Sequence, residues 1–148
     1  MGVHSIEAVK NIRADVTMRW AALLHDIGKP STHTVDENGT DHFYDHQIAG
    51  VPLAEAGLRR LKFDNNTIKD VCKLVRWHDF GMGCVPKKNT IRKLLGEVGK
   101  DFFPYIIEIK KADMAAQSDY KLEERQSQLA ELEKKYEEIV ADADCVRI

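Results

Sequence analysis

The sequence has little of what several functional classes need. Three residues of 148, Cys72, Cys84 and Cys145, are cysteines. That is an odd number too widely spaced for a disulfide framework, so free thiols in a reducing compartment are the expectation. No apolar run approaches the roughly 20 residues of a membrane span, and Met1-Gly2-Val3-His4 does not begin a secretory signal. The chain therefore reads as soluble and cytoplasmic, with no membrane partner. Aromatic residues are only 7%, and 22 basic side chains nearly cancel 24 acidic ones for a formal net charge of −2. Nothing points to a strongly basic nucleic-acid surface, although a small local patch can still grip phosphates. There is no internal repeat and no low-complexity linker. A chain of this length fits one domain over residues 1–148, large enough to bury its own core.

What is present is helical periodicity. Ile6, Val9 and Ile12 give a short helix over 3–12 one apolar face. Asp15 or Thr17 caps the next helix, which carries Met18, Trp20, Ala21, Leu23 and Leu24 and is stopped by Gly28 and Pro30. The period disappears over 31–43, where Asn38-Gly39 between two extended runs signals a β-hairpin. A long helix over about 45–62 places Ile48, Val51, Ala54, Leu58 and Leu61 inward, with Pro52 set to end or kink it unless it falls in the first turns. Asp64 caps a helix reaching about His78, with Ile68, Val71, Cys72, Leu74 and Val75 on its apolar face. Asn89 or Thr90 caps one through Val98, and Asp101 starts another that carries Ile106, Ile109, Ala112 and Ala116, with Pro104 tolerated near its start. The last helix, over about 120–141, holds Leu122, Leu129, Leu132, Tyr136 and Ile139 at heptad-like spacing. About seven helices and one short hairpin predict an all-α fold, a compact helical bundle.

Chemistry-bearing residues fall on the inward positions of this pattern. Adjacent helical residues point about 100° apart, so His25 and Asp26 reach one ion together only against a helix end, in a cleft lined by other helices. Asp26 follows an apolar run, where a carboxylate needs a cation or hydrogen-bond donors to offset several kcal/mol of desolvation. The blander alternative is an ordinary helix end with His25 on the last carbonyls. His78 follows Val71, Leu74 and Val75 at helical spacing, and Asp113 follows Ile106 and Ile109 and precedes Ala116 on one apolar face. His46 faces Ala49 and Gly50, which leave room for an ion. Taken singly these histidines fit a satisfied core. Four helices each presenting a His or Asp inward instead suit Mn, Fe, Ni, Co or Zn better than Ca or Mg. His33 and His42 belong to the hairpin and are expected in solvent, with His42 near enough to His46 to serve as its hydrogen-bond partner.

The order His4, then His25-Asp26, then Asp113 resembles the metal motif of the HD-domain phosphohydrolase superfamily. His46 and His78 lie where its two-metal members place additional histidines. The stretches RWAALLHDIGKPSTHTVDENGTDHFYDHQIAG, RRLKF, LVRWHD and TIRKLLGEVGKDFFPYIIEIKKADMAAQS, with the closing charged helix, are similar to the HD region of bacterial CCA-adding tRNA nucleotidyltransferases. The similarity covers essentially the whole chain. It implies an HD-domain bundle with one divalent ion held by His4, His25, Asp26 and Asp113. A second ion would be held by His46 and His78, with Asp26 bridging. Asp45 stands where many of these relatives have Gly. The Gly-Ser and paired-aspartate signature of their polymerase head is absent, so nucleotide addition by this polypeptide alone is not expected. The chain stops near where such enzymes continue into RNA-binding helices, the expectation for a stand-alone relative or an excised fragment.

The resemblance implies a metal-dependent phosphohydrolase, a phosphomonoesterase or cyclic phosphodiesterase acting on nucleotides or RNA ends through metal-activated water. Asp26 would be central, with Lys29 and Arg76 as candidates to hold phosphate. A rival expectation is a non-catalytic module that binds a tRNA or RNA end, its metal site being structural. A third is an oligomerisation unit built on the apolar stripe of the last helix.

Overall fold

Why the chain forms the elements it does is clearest at their first turns. The computed structural model describes residues 2–81, 83–117 and 119–146; Arg147, Ile148 and the side chain of Cys145 lie outside the described residues. Helix α1 (Gly2–Lys10) is followed by α2 (Val16–Leu24), which opens where the Asp15 carboxylate accepts the Met18 amide at 2.9 Å. The chain then makes one further helical turn, α3 (Lys29–Thr32), with Pro30 in its first turn. Gly28 and Pro30 therefore do not simply stop the chain's helix: a proline lacks only an N–H that a first turn leaves unused, so the turn forms. Strands β1 (His33–Val35) and β2 (Asp41–Phe43) pair antiparallel across Asp36-Glu37-Asn38-Gly39, with His33 opposite Phe43.

The remaining elements are α4 (His46–Arg60), α5 (Asn65–Trp77), α6 (Lys88–Val98), α7 (Phe103–Ala116) and α8 (Leu122–Val146). Pro52 neither ends nor interrupts α4, which runs through it. Asp64 caps α5 as expected, accepting the Thr67 amide at 3.1 Å. At α6 the cap is Lys87, with Asn89 inside the first turn and bonded to Arg92 instead, and α7 starts after Phe102 rather than at Asp101. Among the described residues the architecture is thus an all-α bundle of seven longer helices, one single turn and a small hairpin. No helix among the described residues is long and apolar enough to cross a membrane.

The core lies between α2, α5 and α7, closed by α1 on one side and by α4, α6 and α8 elsewhere. Val71, Leu74, Val75, Ile106 and Ile109 are buried there as the periodicity predicts, and Phe103 is buried with them. Two helices turn differently from expectation. In α1 the core side is Ser5 and Ala8 while Ile6 is 53% exposed, and in α4 it is Gly50, Ala54 and Leu58 while Ile48 and Leu61 are exposed. Small residues win both faces because the backbones come close. An added Cβ on Gly28 would stand 2.0 Å from the His46 carbonyl oxygen and 2.7 Å from the Gly50 nitrogen. Leu129, Leu132 and Ile139 of α8 are buried in the same core, and Tyr136 stacks on Phe103, so this stripe packs on its own domain.

Candidate metal centre

Four helices and the turn after α2 bring six side chains to one point. His4 comes from α1, Asp113 from the last turn of α7, and His25 and Asp26 from the turn ending α2. His46 is the first residue of α4, and His78 follows the last residue of α5. The close passage of Gly28 against the His46 carbonyl sets α4 beside Asp26. Asp45, just before His46, sits in the left-handed region at φ 57°, a conformation that costs a glycine less than an aspartate.

The Asp26 carboxylate divides the six into two sets. Its Oδ2 lies 3.2 Å from His25 Nε2 and 3.6 Å from His4 Nε2, and both rings reach Asp113 Oδ1, at 3.1 and 2.6 Å. Its Oδ1 lies 3.4 Å from both His46 Nε2 and His78 Nε2, which are 3.1 Å from each other. Within each set the candidate ligand atoms all lie within 4.8 Å of one another. The carboxylates and the rings of His25 and His78 are buried.

Each histidine's other nitrogen faces a backbone carbonyl. Nδ1 of His25 donates to Ala22 O (2.6 Å), of His78 to Val75 O (2.7 Å), of His46 to Phe43 O (3.1 Å) and of His4 to Ala116 O (3.3 Å). A carbonyl can only accept, so Nδ1 carries the proton and a neutral ring presents its Nε2 lone pair inward. Four such lone pairs converge on two carboxylates, and those of His46 and His78 meet head on. An added proton or a cation has to lie between them, and nitrogen and oxygen donors held this way fit a transition-metal ion.

The electrostatics say the same. Burial opposes a charge on His25, but the Asp113 and Asp26 carboxylates outweigh it and push its pKa up to about 10. Burial would raise Asp26, yet His25, His46 and His78 hold it far below the usual carboxylate range; Asp113 is lowered in the same way, mainly through His25. His46 is raised, chiefly by Asp26. The group strongly favours positive charge next to the two carboxylates.

Lys29 and Arg76 have different surroundings. Lys29 Nζ lies 3.2 Å from Asp26 Oδ2 and 5.5 Å from the centre of the Phe43 ring. The Arg76 guanidinium instead covers Trp77 at 4.1 Å and lines a groove between α4 and α5 to which none of the six contributes. The structure does not bring it to the centre. His42 turns away as well: it bonds Asp36 at 2.8 Å and stacks on Tyr44, while a backbone carbonyl, Phe43 O, serves His46 in its place.

Sequence reasoning missed three neighbours. Gln117 Nε2 donates to Asp113 Oδ2 at 3.2 Å, leaving Oδ1 for the histidines, and Arg125 in turn donates to Gln117 Oε1 and to the Tyr120 carbonyl. Lys110 Nζ donates to the Phe80 carbonyl at 2.6 Å; burial lowers its pKa, opposed by Asp79 and Asp113. All three line a cavity of about 720 Å³ that opens on His4, Lys29 and Asp113. The only signals for Lys110 and Gln117 were their places one turn before and one turn after Asp113, and nothing local marks Arg125.

The chain also has relatives among known proteins. The chain is 30% identical over 119 residues to an A-adding tRNA nucleotidyltransferase of Deinococcus radiodurans, and 31% identical over 119 residues to a CC-adding tRNA nucleotidyltransferase of Thermus thermophilus. Each match covers 76% of this chain and 27% of the relative. It is also 32% identical over 101 residues, 66% of the chain, to a multifunctional CCA protein of Legionella pneumophila, 24% of which is matched. The chain thus spans about a quarter of the length of these relatives. Residues 5–146 match the HD domain, a span that holds every member of the centre except His4. With its His25-Asp26 pair at the meeting point of both ligand sets, the chain belongs to the HD domain family.

Proposed function

We propose that the chain is a metal-dependent phosphohydrolase that cleaves phosphomonoesters or cyclic phosphodiesters of nucleotides or RNA ends. The observation that carries this reading is the division of the Asp26 oxygens between two ligand sets. His4, His25, Asp26 and Asp113 would hold one divalent ion, and His46, His78 and Asp26 a second, with Mn, Fe, Ni, Co or Zn suited to the donors. When bound, such ions would lower the pKa of coordinated water toward about 7 and neutralise charge on phosphoryl oxygens.

The chain's own residues supply the rest. The carbonyl-held histidines keep their Nε2 atoms aimed without reorganisation, and Gln117 fixes which Asp113 oxygen faces them. Lys29 Nζ, at the cavity mouth beside Asp26, is placed to receive a non-bridging phosphoryl oxygen. Arg76 is left out of this clamp because its guanidinium is committed to Trp77. A cytoplasmic location accompanies the reading, since nucleotides and RNA ends are found there.

A second reading has its own support, because the relatives are named for tRNA and the chain covers only part of them. In it the centre is structural and the module binds a tRNA end. The test is hydrolysis of 2′,3′-cyclic nucleotides and nucleoside monophosphates by chelated protein resupplied with Mn, Co, Ni or Zn. Turnover that disappears in His25→Ala while the circular dichroism spectrum persists supports the phosphohydrolase. No turnover with any ion, together with RNA binding that weakens with salt, favours the binding module.

A further inference from the structure

The cavity beside the centre is basic in a chain that is not. Lys29, Lys110, Lys121 and Arg125 line it against the carboxylates of Asp113 and Glu124, whereas the whole chain carries a formal net charge of −2. Two of these charges are accounted for locally: Lys29 faces Asp26, and Asp113 faces the histidines. Lys110 and Lys121 have no carboxylate within ion-pair distance among the described residues. Lys110 is the sharper case, because its partly buried ammonium has three donors and a neutral carbonyl as its hydrogen-bond partner. Two N–H donors of a partly desolvated cation therefore stand on the wall of a cavity much larger than one phosphate.

We propose that this wall, Lys110 with Lys121, is an anion subsite separate from the metal centre, and that it receives a second phosphate of the substrate. The preferred ligand then carries two phosphate groups, one at Asp26 and Lys29 and the other at Lys110. A nucleoside bisphosphate and the phosphorylated end of an oligonucleotide both have this chemistry. This deepens the phosphohydrolase reading and rests on it for the first phosphate only.

Equilibrium binding to the purified protein tests it with adenosine 3′-monophosphate, adenosine 3′,5′-bisphosphate and the dinucleotide ApAp. Where turnover accompanies binding, the ratio of kcat/KM values reads the same preference. A ligand with two phosphates should bind about tenfold or more tightly than the monophosphate, the worth of one charge-assisted contact. Preference for the bisphosphate alone or the dinucleotide alone identifies the source. In Lys110→Met the ratio should fall toward one; Lys121→Ala, at an exposed position, should lower it as well and covers the case in which the first variant fails to fold. Equal affinities for all three ligands, or a preference that survives both substitutions, would overturn the subsite. A binding preference without any hydrolysis leaves the subsite standing and removes the phosphohydrolase reading instead.

Discussion

Replacing Asp26 by Ala asks most of the centre, because its two oxygens serve both ligand sets. The first set would fall from four side chains to three, and the second from three to two. Three protein ligands still hold a divalent ion in many sites, but two histidines 3.1 Å apart with no carboxylate do not. Asp26→Ala should therefore lose the second ion and weaken the first, while His78→Ala should lose the second only. An ion present at 100 times its Kd adds about 2.7 kcal/mol of stability. For a domain of this size 1 kcal/mol moves Tm by about 2–4 °C, so each lost ion should lower it by about 5–11 °C. The assay is elemental analysis after gel filtration, paired with thermal denaturation with and without chelator. The chelated proteins isolate the effect of the substitution on folding itself. Two ions per chain in the wild type, one in His78→Ala and one or fewer in Asp26→Ala is the expected series. One ion in both the wild type and His78→Ala would refute the two-ion arrangement, and two ions in Asp26→Ala would refute the bridge.

Other substitutions probe how the centre is held. Gly28→Ala forces the turn away from the His46 carbonyl and should cost about 1–3 kcal/mol or more, with the His46–His78 ion lost before the other; thermal denaturation and metal content check it. Gln117→Ala frees Asp113 Oδ2 and should weaken metal binding about 10–100-fold in chelator competition, with little change in the Tm of metal-free protein. The raised pKa of His25 makes metal binding proton-linked: at pH 7 an ion must expel that proton, so affinity should rise about tenfold per pH unit between pH 6 and 8. Calorimetry in buffers of different ionisation enthalpy should show the release, and a buffer-independent heat counts against it. In metal-free protein the trend reverses. His25, raised in the folded state, stabilises fully below about 6.5 and loses that contribution as pH rises through about 10; Asp26 and Asp113, lowered, contribute above the usual carboxylate range and lose it as pH falls.

Much of the centre was legible because burial and charge conflict in the sequence itself. Asp113 among Ile106, Ile109 and Ala116, and Asp26 after Leu23 and Leu24, are carboxylates on faces that periodicity turns inward, and the structure places both there. The caps at Asp15 and Asp64 were legible for a local reason, since each accepts an amide three residues on. What was not legible depends on residues far apart in the chain. The outward turn of Ile6 follows from packing α1 on α2 and α7 through Ser5 and Ala8, which brings His4 to Asp113, 109 residues away. The exposed Ile48 follows from the Gly28–Gly50 approach. Gln117 lies one turn after Asp113 and could have been read, whereas Arg125 looks like an ordinary surface residue until the start of α8 is packed beside Gln117. Arg76 is only two residues before His78, a spacing that puts the two on different sides of the helix, and its side chain covers Trp77.

Activity measured against metal occupancy tests the central claim most directly. Chelated protein would be titrated with Mn in measured equivalents per chain, and hydrolysis of a 2′,3′-cyclic nucleotide followed at each step. The account predicts no turnover without the ion, a rise that tracks bound metal to a plateau at two equivalents, and a flat line for Asp26→Ala. Full activity in the chelated protein, or none at any occupancy of the wild type, would contradict it.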